Sequence, residues 1–392
     1  MDASELLAVA ASWSHWQAPP KPSVQRRVPL PVELRSDLAL VVQGVRRCGK
    51  STLLAQLIGR YGLDRQRCVF VNFEDPRLAA QLDHTVLQAL VDAFEHERPG
   101  PAWYFLDEIQ RVDGWQRWLR SQLDRPRGRH FVVTGSNAHL LSGELASTLT
   151  GRHHRVELFP FDFDEFRELR PGTSLADYLA SGGFPAPATS PDGERLLRSY
   201  FNDIVERDVR ERVGARSSQP MRHLVQMLYE SAGSELSVRR AAAALGVASD
   251  TASLYLDAIE NAYLAFACPF FAWSARKQAS RNKKYYPVDN GLRRVAVVTG
   301  GGDRGKQLEC ATFVLLRRRY SRICYWRGRG EVDFVVEHGG KATPVQVSVD
   351  GPQERHHRAL DEFYEQHPHA AESVFVGLAE YEQGVPQLSG EA

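Results

Sequence analysis

Methionine is scarce, at 3 of 392 residues, and cysteine is sparse, with 5 residues at positions 48, 68, 268, 310 and 324. The cysteine number is odd, and no CxxC pair or Cys/His metal spacing occurs. A disulfide-stapled secreted scaffold and a structural zinc module are therefore excluded, and a reduced, cytoplasmic setting fits. No apolar run approaches the roughly 20 residues of a membrane span. The opening MDASELLAVAASWSHW carries acids where a targeting peptide would carry positive charge, so it reads as a short amphipathic helix. An excess of one charge is missing too. The 49 Lys and Arg against 48 Asp and Glu leave +1, which excludes a general polyanion binder. Only locally does the balance break: residues 275–294 hold seven Lys/Arg against one Asp, whereas the C-terminal tail is acidic.

What is present is ordinary globular composition, 43% hydrophobic and 25% charged, in a chain with room for about two to four domains. One stretch is far from ordinary: LALVVQGVRRCGKSTLL, residues 38–54. An apolar β-type run breaks into Gly44-Val-Arg-Arg-Cys-Gly49-Lys50-Ser51 and then into a leucine-rich helical pattern. This is the strand, G-x-x-x-x-G-K-[ST] turn and helix of a P-loop. Gly44 and Gly49 let the backbone curl so that the N–H groups of Arg47, Cys48, Gly49, Lys50, Ser51 and Thr52 point at a phosphate chain. The helix start adds its dipole. Lys50 supplies charge for the β- and γ-phosphates, and the Ser51 hydroxyl is placed to ligate Mg²⁺.

After one intervening β–α unit comes PAWYFLDEIQ, an apolar run ending in Asp107-Glu108. A buried strand of this kind delivers Asp107 to the Mg²⁺ shell and leaves Glu108 to orient or deprotonate the attacking water. The next apolar run, HFVVT, leads into Gly135-Ser136-Asn137. Ser136 or Asn137 fits a γ-phosphate sensor, with Thr134 as a further choice. Arg152 stands just before a fifth β-type run and suits an arginine finger acting on a neighbouring subunit's nucleotide. Five β-type segments alternating with helices predict an α/β fold with a parallel, doubly covered sheet, the nucleotide lying at the carboxyl ends of its strands.

With GVRRCGKSTLL, NFEDPRL, FLDEIQRVDGW, VVTGSNAHLLS, LTGR, ELFPFDFDEF, GGFP, NDIVERDV and KYYPVDNGL in hand, the chain resembles the prokaryotic predicted ATPases of the AAA superfamily. In that group the core precedes a winged helix and a C-terminal domain of unknown function with a restriction-endonuclease-like fold. The likeness spans about residues 30–350. It implies ATP and Mg²⁺ as cofactors, bound at 44–52 with Asp107, hydrolysis supported by Glu108, a sensor at 134–137 and Arg152 as the finger.

The domain plan expected is 1–30, N-terminal helix and linker; 31–160, AAA-type core; 161–215, a helical linker; 216–290, a winged helix; and 291–392, the C-terminal α/β domain. Phe161–Ser199, less regular and containing the breaker-rich SGGFPAPATSPDGE, reads as a hinge between modules. Residues 237–246 and 251–261 form a helix-turn-helix layout, with Leu254, Leu256 and Ile259 turned inward. Arg276, Lys277, Arg281, Lys283 and Lys284, with Tyr285 and Tyr286, offer DNA phosphate contacts. Against that, the second helix carries few of the basic or amide side chains that base reading requires.

Further on, Glu309 on an amphipathic helix, Asp333 in a strand and a second strand follow the order of PD-(D/E)XK folds. The resemblance implies Glu309 and Asp333 as metal-binding acids, with Arg317, Arg318, Arg319, Arg322, Arg327 and Arg329 nearby for DNA. Gln346-Val347-Ser348 stands where such an active site needs an acid, one residue and a lysine. The expectation is therefore no nuclease activity. The reading as a whole is a Mg²⁺-dependent ATPase working as a homo-oligomer that moves its attached modules, with DNA as a candidate partner. The alternative is a nucleotide-gated switch or scaffold with little turnover.

Overall fold

In the computed structural model, which describes residues 2–125, 127–136, 149–297, 303–385 and 388, the chain forms two compact units, Met1–Leu158 and Phe159–Ala392. The first is built on five strands: β1 (Ala39–Gly44), β2 (Cys68–Asn72), β3 (Ala102–Asp107), β4 (Arg129–Gly135) and β5 (His153–Leu158). They lie in the order β2-β3-β4-β1-β5, and every pairing is parallel. A parallel sheet is covered on both faces, so its strands need apolar residues on both sides; accordingly every residue of β1 is buried.

Helices α1 (Ala3–Trp13), α2 (Lys50–Arg60), α3 (His84–Glu97) and α4 (Trp115–Asp124) surround the sheet. Asp2 starts α1 with a capping box to Glu5, and the helix buries Leu6, Leu7, Val9 and Ala10. Each leucine buried in this way contributes about 2 kcal/mol. Trp13 then ties the helix end to Asp75 through an indole N–H bond of 2.8 Å. The core includes Leu87, Phe94, Tyr104, Trp115 and Phe131, with Tyr104 stacked on Phe131 at 5.4 Å.

Register decides where chemistry can happen. Asn72 pairs with Asp107, and Gln43 with Gly135, so the polar strand ends share the sheet's carboxyl edge. The opposite edge begins where Ala39 pairs with His153.

The second unit carries two sheets. The smaller has β6 (Glu235–Leu236), β7 (Ala265–Cys268) and β8 (Lys283–Pro287), antiparallel in the order β6-β8-β7. It accompanies α5 (Gln219–Glu230), α6 (Val238–Leu245) and α7 (Ser249–Asn261). On α7 the buried residues are Ala252, Leu256 and Ile259, while Leu254 is 51% exposed. The expectation that Leu254 turns inward is thus corrected. Two helical residues apart is about 200° of rotation, so Leu254 and Leu256 cannot share a face.

The larger sheet has β9 (Ile323–Arg327), β10 (Glu331–His338), β11 (Lys341–Val347) and β12 (Val374–Val376), in the order β12-β11-β10-β9. Helices α8 (Arg304–Arg319) and α9 (Glu354–Gln366) flank these strands in the chain. The stretch read as a hinge is instead packed. Short helices Phe163–Leu169 and Leu175–Ser181 open with capping boxes, and Phe161, Phe163, Phe166 and Phe184 are buried. Gly183 shows why the breakers are there: a Cβ at this position would lie 2.1 Å from the Phe161 carbonyl oxygen. Among the described residues no helix is long and apolar enough to cross a membrane.

Candidate functional site: the P-loop and its carboxylates

Strand β1 ends at Gly44, and α2 begins at Lys50 after a turn that no other residue at its ends would allow. A Cβ on Gly44 would lie 2.0 Å from the Leu158 carbonyl oxygen, and Gly49 caps α2 at φ 103°. Cys48 closes the turn from beneath: its buried Sγ donates to the same Leu158 oxygen at 3.3 Å. Burial pushes that thiol above its ordinary range, which makes it a small packing residue and not a redox group.

The turn carries two consecutive arginines with opposite fates. Arg47, at φ 71°, is exposed. Arg46 is only 7% exposed, and its Nη1 donates to both Glu74 oxygens, at 3.0 and 3.2 Å.

Lys50 is buried, and its Nζ donates to the carbonyls of Gly44 at 3.2 Å and Val45 at 3.4 Å. It also lies 3.5 Å from Glu108 Oε1. Burial works against the ammonium, but the nearby carboxylates, Glu108 first, outweigh it and hold the pKa above the ordinary lysine value. Glu108 gives the complementary picture. Burial opposes its charge, yet Lys50 and then Arg46 keep its carboxyl below the usual range.

Glu108 takes φ 56° and ψ 42°, a left-handed conformation rare outside glycine. Its neighbours hold it there. Its N–H donates to the Thr134 hydroxyl at 3.0 Å, and Gln110 Nε2 donates to its Oε2 at 2.6 Å. The Ser136 side chain also bonds to it.

Asp107 ends β3 and gathers the remaining partners. The Ser51 hydroxyl donates to its Oδ2 at 2.6 Å, Asn72 Nδ2 donates to the same oxygen at 3.4 Å, and the Thr134 hydroxyl donates to Oδ1. Burial, and then the Glu108 charge, raise the Asp107 pKa against those hydrogen bonds. Ser51, Thr52, Asn72 and Asp107, together with Trp13–His15 and residues 17–23, line a cleft of about 950 Å³. The Ser51 hydroxyl and the Asp107 carboxylate, converging at a solvent-reachable edge, are hard oxygen donors of the kind that suits Mg²⁺.

Of the residues predicted from sequence, Gly44, Cys48, Gly49, Lys50, Ser51, Asp107, Glu108, Thr134 and Ser136 therefore meet at one edge, with Arg47 and Thr52 on its solvent side. Asn137 lies outside the described residues. Arg152 is not brought to this edge. Its carbonyl accepts from Ala39 N at 3.0 Å, and its guanidinium sits 3.1 Å from Asp124, where β5 begins. The P-loop is a full strand away, about 20 Å at 3.3 Å per residue. Arg46, Asn72, Glu74 and Gln110 were not singled out from sequence. The available signal was position: Asn72 and Glu74 follow directly on a buried strand whose neighbour ends in Asp107.

In the second unit, Glu309, Glu331, Asp333, Gln346 and Ser348 line a separate cleft of about 800 Å³. Lys284 comes from β8 to join them. It is 1% exposed, bonded to Glu331 and in electrostatic reach of Glu309 and Asp333. Burial and the Glu309 charge push the Asp333 carboxyl up to about 8. Tyr286 donates to Glu309 at 2.7 Å. Lys284, Tyr285 and Tyr286 are all buried, so they do not belong to the phosphate-contacting surface expected of them. Arg318 is likewise engaged, bonding Asp162, Glu165 and the Pro160 carbonyl, and Arg319 donates to the Val385 carbonyl. Among the described residues, no group of three or more His, Cys, Asp or Glu is arranged to hold a metal ion.

A parallel sheet with a P-loop turn at its carboxyl edge, faced by a strand-end Asp-Glu pair, defines a P-loop NTPase core. Residues 36–167 match the AAA domain family, and residues 172–301 match a domain of unknown function (DUF8612). An uncharacterized protein of Haemophilus influenzae is 32% identical over 340 residues, covering 82% of this chain and 85% of its own length. The chain belongs to the same family as that protein, and the AAA match lies within residues 36–167 of this chain. An uncharacterized protein of Methanocaldococcus jannaschii is 28% identical over 347 residues, covering 81% of this chain and 76% of its own. Among solved structures, the replication initiator DnaA bound to AMPPCP and single-stranded DNA shares 15% identity, with 57% of this chain and 82% of that one covered, at a TM-score of 0.28.

Proposed function

We propose that the first unit binds ATP with Mg²⁺ and hydrolyses it. The observation that carries this reading is the joint placement of Ser51, Asp107 and Glu108 around Lys50, with Glu108 3.5 Å from the Lys50 ammonium and held in a left-handed backbone conformation. Ser51 and Asp107 would hold Mg²⁺, which when bound neutralises charge on the β- and γ-phosphates. The P-loop N–H groups and Lys50 would bind the phosphate chain. Glu108 would take a proton from water as the water oxygen bonds to the γ-phosphorus and the bond to the β-bridging oxygen breaks, giving ADP and phosphate. Thr134 and Ser136 would hold the two carboxylates in register.

Arg152 cannot serve its own P-loop from the far edge of the sheet, so its role as a finger requires a homo-oligomer in which it completes a neighbour's site. In the second unit, α5–α7 with β6–β8 read as a winged helix, and α8, β9–β11, α9 and β12 follow the order of a restriction-endonuclease-like fold. We read the latter as a binding module and not a nuclease, because Gln346 and Ser348 replace the acid and the lysine. Arg276, Lys277, Arg281 and Lys283 are exposed and are the residues available for DNA phosphates. ATP turnover would alter how these modules engage DNA.

The test is turnover and nucleotide binding by the full chain, with and without DNA. Lys50→Ala should lose binding. Glu108→Gln should keep binding and lose at least about a hundredfold in turnover. Normal turnover in Glu108→Gln would remove Glu108 from its role. A second reading, a nucleotide-gated switch, is favoured by the number of bonds already engaging Glu108. It predicts slow turnover with ADP retained on purification. Sedimentation with ATP, comparing Arg152→Ala with the unsubstituted chain, tests the shared site.

A further inference from the structure

We propose that Arg46 is a γ-phosphate ligand supplied by the P-loop itself, and that Glu74 is the internal anion holding it until a nucleoside triphosphate arrives. This rests on the ATP reading above and adds to it a residue and a means of distinguishing triphosphate from diphosphate.

The starting point is a cost. A guanidinium 7% exposed, one turn from the buried ammonium of Lys50, is unfavourable unless an anion compensates it. Each cation has one. Lys50 faces Glu108 at 3.5 Å, and Arg46 holds both oxygens of Glu74, at 3.0 and 3.2 Å. Arg111 reaches the same Glu74 oxygen at 3.1 Å. Arg46, Lys50 and Arg111 thus face Glu74, Asp107 and Glu108, while a further buried cation, Arg26, bonds the Cys48 carbonyl at 2.7 Å. The carboxylates of Glu74 and Glu108 sit on cations that a phosphate chain would contact.

Arginine suits the exchange because its planar fork accepts a carboxylate or a phosphate with the same donors. Arg46 lies in the turn between Gly44 and Gly49, and its charge is felt at both Lys50 and Glu108. A terminal phosphate beside Lys50 and Glu108 is therefore within its electrostatic field. Arg46 leaving Glu74 for that phosphate would strengthen triphosphate binding specifically. A diphosphate offers it no such partner.

Three substitutions test this by equilibrium binding of a non-hydrolysable ATP analogue and of ADP, both with Mg²⁺, to the full chain. Arg46→Gln is expected to weaken the ATP analogue about tenfold and to leave ADP within about twofold, the loss of one charge-assisted contact. Arg46→Lys should recover part of the preference. Glu74→Gln, which weakens the competing anion, should tighten the ATP analogue and leave ADP unchanged, and it does so without altering Arg46. Equal weakening of both nucleotides by Arg46→Gln, or no change in either, overturns the assignment of Arg46. An unchanged ATP analogue in Glu74→Gln overturns the exchange. If the unsubstituted chain binds neither nucleotide, the ATP reading itself fails and takes this one with it.

Discussion

The Thr134 hydroxyl accepts the Glu108 backbone N–H at 3.0 Å and donates to the Asp107 carboxylate. One β4 side chain thereby holds both members of the β3 acid pair, and it is fully buried in doing so. Thr134→Val keeps the shape but leaves a buried N–H and a carboxylate oxygen without that partner. The expected loss is about 1–3 kcal/mol of stability. Turnover should fall about tenfold while nucleotide affinity holds. Thermal melting and a turnover assay on the same preparation check it, and a variant with unchanged turnover would deny Thr134 its alignment role.

All five cysteines are free and buried, and burial pushes Cys68 and Cys310 up to about 12 and Cys324 to about 11. Thiolate, the reactive form, is thus suppressed as well as covered. A colourimetric thiol titration should detect almost no reaction in the folded protein and five thiols in denaturant. Rapid native labelling of Cys48, identified by mass, would contradict the packing of the P-loop floor.

Asp289 is buried and accepts from Gly183 N at 2.6 Å and Leu292 N at 2.9 Å. Burial raises its carboxyl to about 6 in spite of those donors. The folded chain therefore binds this proton more tightly than the unfolded chain, whose aspartate titrates near about 4. Its contribution to stability is greatest below about pH 4, falls as pH rises to about 6, and is constant above that. Measured against Asp289→Asn, the natural chain should gain about 1.4 kcal/mol per pH unit as pH is lowered from about 6 to about 4. Denaturant melts at several pH values check this, and a pH-independent difference between the two would contradict it.

Lys284 lies in the field of Glu331, Glu309 and Asp333 in the second unit. Replacing it with Met removes the buried cation bonded to Glu331 and leaves Arg327, 3.8 Å away, as the remaining charge partner of that carboxylate. Breaking a buried pair in this manner costs about 3–5 kcal/mol. Glu331→Gln, whose side chain is one-third exposed, should cost less. The same denaturant melts rank the two, and a Lys284→Met protein as stable as the natural chain would show the charge to be idle.

Chain-local features were the legible ones. The five apolar runs, the glycines framing the P-loop and the acids closing β3 depend on neighbours in sequence, and their strands and turns follow. Features that depend on register were not. Arg46 and Glu74 are 28 residues apart and meet through the alignment of β1, β4, β3 and β2. Lys284 and Tyr286 sit in a basic stretch that looked like surface, and only β10 and α8 supply the acids that bury them. Leu254 faces solvent through helix phase, a property that a list of apolar residues does not carry. Arg318 reads as one of three equivalent arginines until Asp162 and Glu165, more than 150 residues earlier, take it.

The carbonyl of Leu158 touches the P-loop twice, through the space beneath Gly44 and through the Cys48 thiol. Leu158 is also the last residue of the first unit, and Phe159 opens the second. A side chain added at position 44 and the native thiol at position 48 would compete for one and the same carbonyl oxygen.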